Sequence, residues 1–386
     1  MAYKNGHNNY GTSLQGYALL YTLEHLGYNV EIINYKKKMP FLQKVAWVVN
    51  AIRVGEMKEL MTRMYHKKNV STNEAYAENM RIRTESVDKY KRDRFYHHFK
   101  DFIGYKALHE GSRDYDAVVV GSDQVWTPMG LPTRFYNLLF VDERVKKIAY
   151  ASSFGVSSIP AFQQTATGRY LDRFYRIGVR EIRGKEIVDN LSHQKATVVA
   201  DPTLLLTKQD WENEINTSLP SSSGRNKLEE GYIFCYFLGT NKDARNAANK
   251  LKEITGLKIV CIRHMDEYVE SDEFFGDFAP YDVDPNDFVR LISKATYVCT
   301  DSFHCSVFSS IFHRQFMTFY RFSETNKTGR NSRIDSLFEE LSIPRSHIYS
   351  GDINEIKTEI NWDKVDERVA RLRTDSLLFL KQSLES

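Results

Sequence analysis

Apolar and polar positions alternate along this chain at two periods. In "TSLQGYALLYTLEHLG", Leu14, Tyr17, Ala18, Tyr21 and Leu26 recur near helical spacing and the pattern stops at Gly27, which predicts an amphipathic helix. The next stretch, "NVEIINY", reads as a strand, and "DAVVVG", "KIAYASS", "RIGVR" and "ATVVA" repeat that short apolar form. Short apolar strands separated by helices predict a parallel sheet covered on both faces. The alternation lapses in "TKQDWENEINTSLPSSSGRNKLEE" and restarts with "YIFCYFLG", a helix through "DARNAANKLKEITG" and the strand "LKIVCIR". A helix from Pro285, the strand "TYVCT", a helix from Ser302 and the strand "QFMTFY" follow.

Two doubly wound units are therefore expected: residues 1–207 with a helical insertion over about 36–110, a linker at 208–230, and residues 231–386 with C-terminal helices. Ligands of such sheets bind beyond the strands' carboxyl ends, which places the site in the cleft between the units.

At 386 residues the chain can bury two cores. Its 53 Lys and Arg against 50 Asp and Glu leave +3, so no overall field points to nucleic acid. The four cysteines, Cys235, Cys261, Cys299 and Cys305, lack metal-binding spacing and read as reduced core residues. No apolar run reaches the ~18 to 20 residues of a membrane helix, and "MAYKNGHNNYG" has no signal-peptide core, so the expectation is a soluble, cytoplasmic protein. From Lys36 to Lys68 there are nine Lys and Arg against two Glu around "FLQKVAWVVNAI". That composition fits a membrane-surface helix, with peripheral contact at the cytoplasmic membrane. The reading preferred on the sequence is a helix packed over the first unit with a solvated basic face.

The strand ends carry the chemistry. "NGHNNYGTSLQ" is a polar loop feeding a helix whose amides can hold an anion or a sugar hydroxyl, with Asn9 and Gly11 as candidates. In "VVVGSDQVW", Asp123 and Gln124 suit hydroxyls and Trp126 suits a sugar face. "GVREIRGKE" offers Arg180, a residue type for bidentate carboxylate or phosphate contacts, although an Arg180–Glu181 network explains it equally. Asp201 before Pro202 ends another strand and reads as a turn or a ligand contact. In "TDSFHC", capping accounts for Asp301 and Ser302 but leaves His304 in the first helical turn, close to any anion bound there. "YDVDPN" spells a DxD, yet Asp284 before Pro285 is ordinary helix-start chemistry, and no metal is assigned. GxGxxG, P-loop and HExxH signatures are missing, which argues against dinucleotide enzymes, P-loop NTPases and zincins.

Taken in order, "NNYGTSLQGYAL", "YDAVVVGSDQVW", "YASSFG", "GVREIRG", "ADPTLLL", "TDSFHCSVFSSIF" and "GRNSRIDSL" resemble the polysaccharide pyruvyl transferase family. The resemblance implies a GT-B-like α/β fold of two Rossmann-type doubly wound domains facing across a cleft. It implies transfer of pyruvate from phosphoenolpyruvate to a sugar diol as a cyclic ketal, with a glycan or lipid-linked sugar as acceptor and no cofactor or metal. It makes His304 the general acid and Arg180 a clamp for the donor, with Ser302, Asn331 and Arg333 also on the donor side. Asn9, Gly11, Asp123, Gln124 and Trp126 fall to the acceptor.

The chain departs from the family at three places. Ser302 stands where some members have an arginine, so a second anion contact is expected from Arg333, Arg330 or Arg321. Cys305 stands where glycine often follows the histidine. The family has a strand ahead of the "NNYG" loop, whereas here Met1 is close to that loop, so either the start is truncated or the first sheet lacks a central strand. A nucleotide-sugar glycosyltransferase of GT-B fold, or a degenerate scaffold in glycan assembly, are the other functions this fold would allow.

Overall fold

The computed structural model describes residues 1–3, 9–37, 41–57, 61, 73–217, 231–264, 269–321 and 331–385. Among the described residues the first unit holds six strands, β1 (Ile32–Lys36), β2 (Phe99–Ile103), β3 (Ala117–Val120), β4 (Lys146–Ser152), β5 (Arg176–Val179) and β6 (Ala196–Val198). A second sheet holds β7 (Tyr232–Tyr236), β8 (Lys258–Cys261), β9 (Tyr297–Thr300) and β10 (Gln315–Thr318).

Every pairing is parallel: β1 with β2, the run β3-β4-β5-β6, and the run β10-β9-β7-β8. The gap between β1 and β3 is filled by residues 1–3. The Ala2 amide donates to Val119 O at 2.7 Å, Gly121 N donates to Ala2 O at 3.2 Å, and Ile33 N donates to Met1 O at 3.0 Å. The central strand is thus present as three residues, too few to show a period of two in the sequence. The first sheet then reads β2-β1-(1–3)-β3-β4-β5-β6, with its order reversing between residues 1–3 and β3. The second reverses between β7 and β9. Ligands of doubly wound sheets bind at such reversals, and both open toward the same place. This is the expected GT-B-like α/β architecture, two Rossmann-type sheets each with its own helices.

Three expectations change in detail. Lys208–Asn216 is a helix with a Thr207–Asp210 capping box, not linker, while residues 218–230 lie outside the described residues. The insertion over 36–110 is not wholly helical, because β2 within it pairs with β1 at the sheet edge. The last helix, Trp362–Glu385, leaves the second unit and packs on the first: Ala200 N donates to Ser376 Oγ at 2.8 Å, and a Cβ at Gly178 would meet Phe379 at 2.9 Å. Apolar contacts also join the units directly. Tyr10 stacks on Phe288 at 4.8 Å and Trp211 meets Phe308 edge-on at 4.9 Å, so one buried cluster runs from Ile148 in the first sheet to Phe234 in the second.

The Phe41–Arg53 helix does not pack as expected. Asn50 faces inward, donating to Pro128 O at 3.0 Å and accepting from Gln163 Nε2 at 2.6 Å, while Phe41, Val45, Val48, Val49 and Ile52 are exposed. Among the described residues no helix is long and apolar enough to cross a membrane.

Candidate active site

β9 ends at Thr300, and the next two residues do what capping chemistry predicts. The Asp301 carboxylate accepts from Leu238 N at 2.6 Å and Gly239 N at 2.8 Å, tying the loop after β7 to the end of β9. Ser302 caps the Phe303–Ile311 helix by accepting from Cys305 N at 3.5 Å. His304 is left free of that task and points across to the first unit. Its side chain is 10% exposed, and its Nε2 lies 3.6 Å from Asp201 Oδ2. Gly11, from the start of the Tyr10–His25 helix, lies flat against the imidazole: a Cβ there would stand 2.1 Å from His304 Nδ1. A side chain at position 11 and the observed ring cannot coexist.

Asp201, just past β6, is the hub of the first unit's contribution. Its Oδ1 accepts from Thr203 N at 3.1 Å and Thr203 Oγ1 at 2.7 Å; its Oδ2 accepts from Ser122 Oγ at 3.0 Å and Arg180 Nη1 at 3.0 Å. Burial opposes ionisation of this carboxyl, but the neighbouring His304, the Arg180 guanidinium and the Thr203 donors outweigh it and hold its pKa far below the ordinary carboxylate value. Asp201 is therefore an anion throughout the neutral range.

Arg180, just past β5, is 3% exposed. Its Nε lies 3.5 Å from Glu181 Oε1, which Ser153 Oγ holds at 2.7 Å, and its Cζ stands 4.5 Å from the centre of the Phe303 ring. Burial would discharge it, and Glu181, Asp201 and Asp123 keep it charged. Two of its nitrogens, Nε and Nη2, have no hydrogen-bond partner in this buried place. Arg333 is close enough to be affected by Arg180. Its Nε is buried without a partner, and its pKa falls to about 10, first from burial and then from Arg180 and Arg321. Buried donors are normally paired. Here Arg180 Nε and Nη2 and Arg333 Nε are not, although Glu181 and Asp123 act on both guanidinium groups.

On the opposite rim, Asp123 accepts from Thr12 Oγ1 at 3.2 Å and holds a left-handed backbone with φ of 82°, a conformation rare outside glycine. Asn9 caps the Tyr10–His25 helix through Thr12 N at 3.2 Å, and Gln124 packs against Gly155. Asn331 is partly buried at the start of the Ser332–Glu340 helix. Glu340, at that helix's other end, has its pKa pushed up to about 7 by burial and by Glu181 and Glu339, against the pull of Arg180.

The structure thus brings together His304, Arg180, Arg333, Asp123 and Gly11 from the sequence reading. It does not support a sugar platform at Trp126. That side chain is 4% exposed, its Nε1 donates to Tyr136 O at 3.0 Å, and its ring packs on Phe154, Phe174 and Tyr170 at 5.2 to 5.8 Å. An indole so enclosed is core. Ser302 serves as the helix cap, and Arg330 lies outside the described residues.

Sequence reasoning missed the hub role of Asp201, and with it Ser122, Thr203 and Thr12; the only signal was an aspartate at a strand end, equally a turn former. The four cysteines are buried and reduced, with the Cys261 thiol pushed up to about 12 by burial. In the DxD, Asp284 accepts from Asp287 N at 2.8 Å as a helix cap.

A family description, polysaccharide pyruvyl transferase, matches residues 9–322. No curated protein matches the chain. Among solved structures, a UDP-GlcNAc 2-epimerase from Methanocaldococcus jannaschii aligns at 10% identity and TM-score 0.46 over 92% of this chain and 88% of that one. A protein described as a UDP-N-acetylglucosamine 2-epimerase, from Listeria monocytogenes, aligns at 10% identity and TM-score 0.47, over 96% and 92%. A UDP-GlcNAc 2-epimerase from Neisseria meningitidis bound to UDP-GlcNAc aligns at 10% and 0.42, over 71% and 80%.

Proposed function

The chain belongs to the polysaccharide pyruvyl transferase family, and from that premise we propose that it moves pyruvate from phosphoenolpyruvate to a diol of a sugar in a cell-surface polysaccharide or its lipid-linked precursor, working from the cytoplasm. The observation that carries this reading is the set of unpaired buried donors on Arg180 and Arg333, with Arg180 sharing the Asp201 carboxylate with His304. A small trianion with a carboxylate and a phosphate matches such a nest better than a neutral sugar does.

The proposed steps balance. The His304 imidazolium gives its proton to the methylene carbon of the donor, which becomes a methyl group, and the adjacent carbon becomes electrophilic. One acceptor hydroxyl adds there and its proton passes to the departing phosphate, which takes its bonding electrons, and the second hydroxyl closes the ring with its proton restoring the His304 imidazolium. The Asp201 carboxylate faces the imidazole at 3.6 Å, and the guanidinium groups neutralise the donor's carboxylate and the leaving phosphate. Asp123, which accepts from Thr12, is the group we assign to an acceptor hydroxyl. No step in this scheme calls on a cofactor or metal.

The test is incubation of the protein with phosphoenolpyruvate and model glycosides that carry free diols, following phosphate release and a ketal product by mass. Phosphoenolpyruvate left intact while a nucleotide sugar is consumed would replace this reading with a glycosyltransferase. Inactivity toward both, with no binding of either, would favour a scaffold.

A further inference from the structure

We infer that the Phe41–Arg53 helix is a docking surface for an anionic lipid bilayer, lying in the headgroup region with its apolar stripe inserted. The inference does not depend on the reaction proposed above. At about 3.6 residues per turn, Phe41, Val45, Val48, Val49 and Ile52 fall within an arc of about 100°. That arc points outward: Phe41 is 77% exposed and Ile52 60%. The opposite face carries Gln43 and Asn50, and these polar side chains bind the body of the protein, Gln43 Nε2 donating to Pro132 O at 3.0 Å and Asn50 to Pro128 O at 3.0 Å. The helix is inside out relative to an ordinary surface helix, which buries its apolar stripe and solvates its polar one.

Hydrogen bonds fix that orientation, so the exposure is not a matter of a loosely attached helix. The patch also extends beyond the helix. The Arg53 guanidinium carbon stands 4.6 Å from the centre of the Phe162 ring, itself 44% exposed, so the stripe continues onto the Ala161–Leu171 helix. Contiguous apolar surface of this kind marks a contact site.

Charge selects the occupant. Lys44 and Arg53 flank the stripe on its two sides and both are exposed, as is Lys37. The surrounding sequence from Lys36 to Lys68 carries nine basic residues against two acidic ones. A second copy of this chain, set face to face on the stripe, would bring two such basic segments together. A bilayer with anionic headgroups takes the apolar side chains and the flanking cations at once. The helix has 13 residues, about 20 Å in length against about 30 Å of hydrocarbon, so it lies on the membrane rather than across it.

The experiment is co-sedimentation of the full chain with vesicles of phosphatidylcholine alone and of phosphatidylcholine mixed with phosphatidylglycerol. The wild type is expected to sediment with the mixed vesicles only, and less as salt rises. Phe41→Ser with Ile52→Ser should weaken this by on the order of tenfold or more. Lys44→Glu should weaken it by about fivefold per unit of charge lost. All three positions are exposed, so the variants should melt as the wild type does. Three results would overturn the inference: a wild type that stays in the supernatant with both vesicles, a double serine variant that sediments as well as the wild type, or a dimer in solution that the serine substitutions dissolve without any vesicle binding.

Discussion

His304 Nε2 stands 3.6 Å from Asp201 Oδ2, joining the second sheet's edge to the first. The same carboxylate pairs with the buried Arg180 at 3.0 Å, so one aspartate both steadies a guanidinium and faces the candidate acid. Removing its charge leaves Arg180 with Glu181 at 3.5 Å and the charge of Asp123, and breaking a buried pair costs about 3 to 5 kcal/mol. Asp201→Asn should fall near the lower end of that range in urea denaturation at neutral pH.

The pH dependence of that loss has a definite sign. Because the folded-state pKa of Asp201 is depressed, its stabilising contribution is complete above the unfolded value of about 4 and vanishes as pH falls through the folded value. The stability gap between wild type and Asp201→Asn should therefore narrow below about pH 4. A gap that widens on acidification would contradict the assignment.

Gly11→Ala should act on His304 from the other unit. The added methyl meets the imidazole at a distance no pair of atoms tolerates, so the ring must move. A displacement of about 1 Å at a catalytic group lowers turnover by on the order of 100-fold. Steady-state kinetics should show that fall in kcat, with donor affinity by calorimetry changed much less.

His304→Asn and Arg333→Ala should fail in opposite ways. Loss of the acid should cut kcat by on the order of 100 to 10,000-fold while phosphoenolpyruvate still binds. Arg333→Ala should weaken donor binding first. It should also leave the melting temperature of the empty protein unlowered, because Arg333 is crowded by Arg180 and Arg321. Equal effects of both substitutions on donor affinity would count against the division of roles.

Glu340 gives a further pH signature. Its folded pKa is raised to about 7, so wild-type stability declines as pH climbs from the unfolded glutamate value toward 7. Glu340→Gln abolishes that decline. Thermal melts should find the variant more stable than wild type at pH 8 and no more stable at pH 4.

Trp126→Ala separates core from acceptor contact. An enclosed indole should cost about 3 to 5 kcal/mol on truncation. Trp126→Phe, which keeps most of the packing, should leave the KM for the sugar unchanged. A selective rise in acceptor KM would restore the sugar-facing role.

Some of this was written in the sequence. Short apolar runs such as "DAVVVG" and "TYVCT" became β3 and β9, because a strand buried on both faces needs only apolar residues and its ends need turn formers. Arg180 and His304 were recognisable at strand ends for the same reason, since the carboxyl edge of a parallel sheet is where polar side chains gather. Capping explained Asp301, Ser302 and Asp284, and the structure puts each in a capping or loop-fastening role.

Only the tertiary structure decided the rest, because it depended on partners far away in the chain. Nothing local marks residues 1–3 as a strand; they become one by hydrogen bonding to Ile33, Val119 and Gly121. Gly11 and His304 are 293 positions apart by subtraction of their numbers, and the need for a missing side chain at one exists only once the other's ring arrives. Trp126 and the Phe41–Arg53 helix show the same limit in opposite directions, an aromatic that looked available and is enclosed, and an apolar stripe that looked destined for the core and faces out. Local pattern sets what a segment can bury, and which face is buried is settled by the neighbours that fold against it.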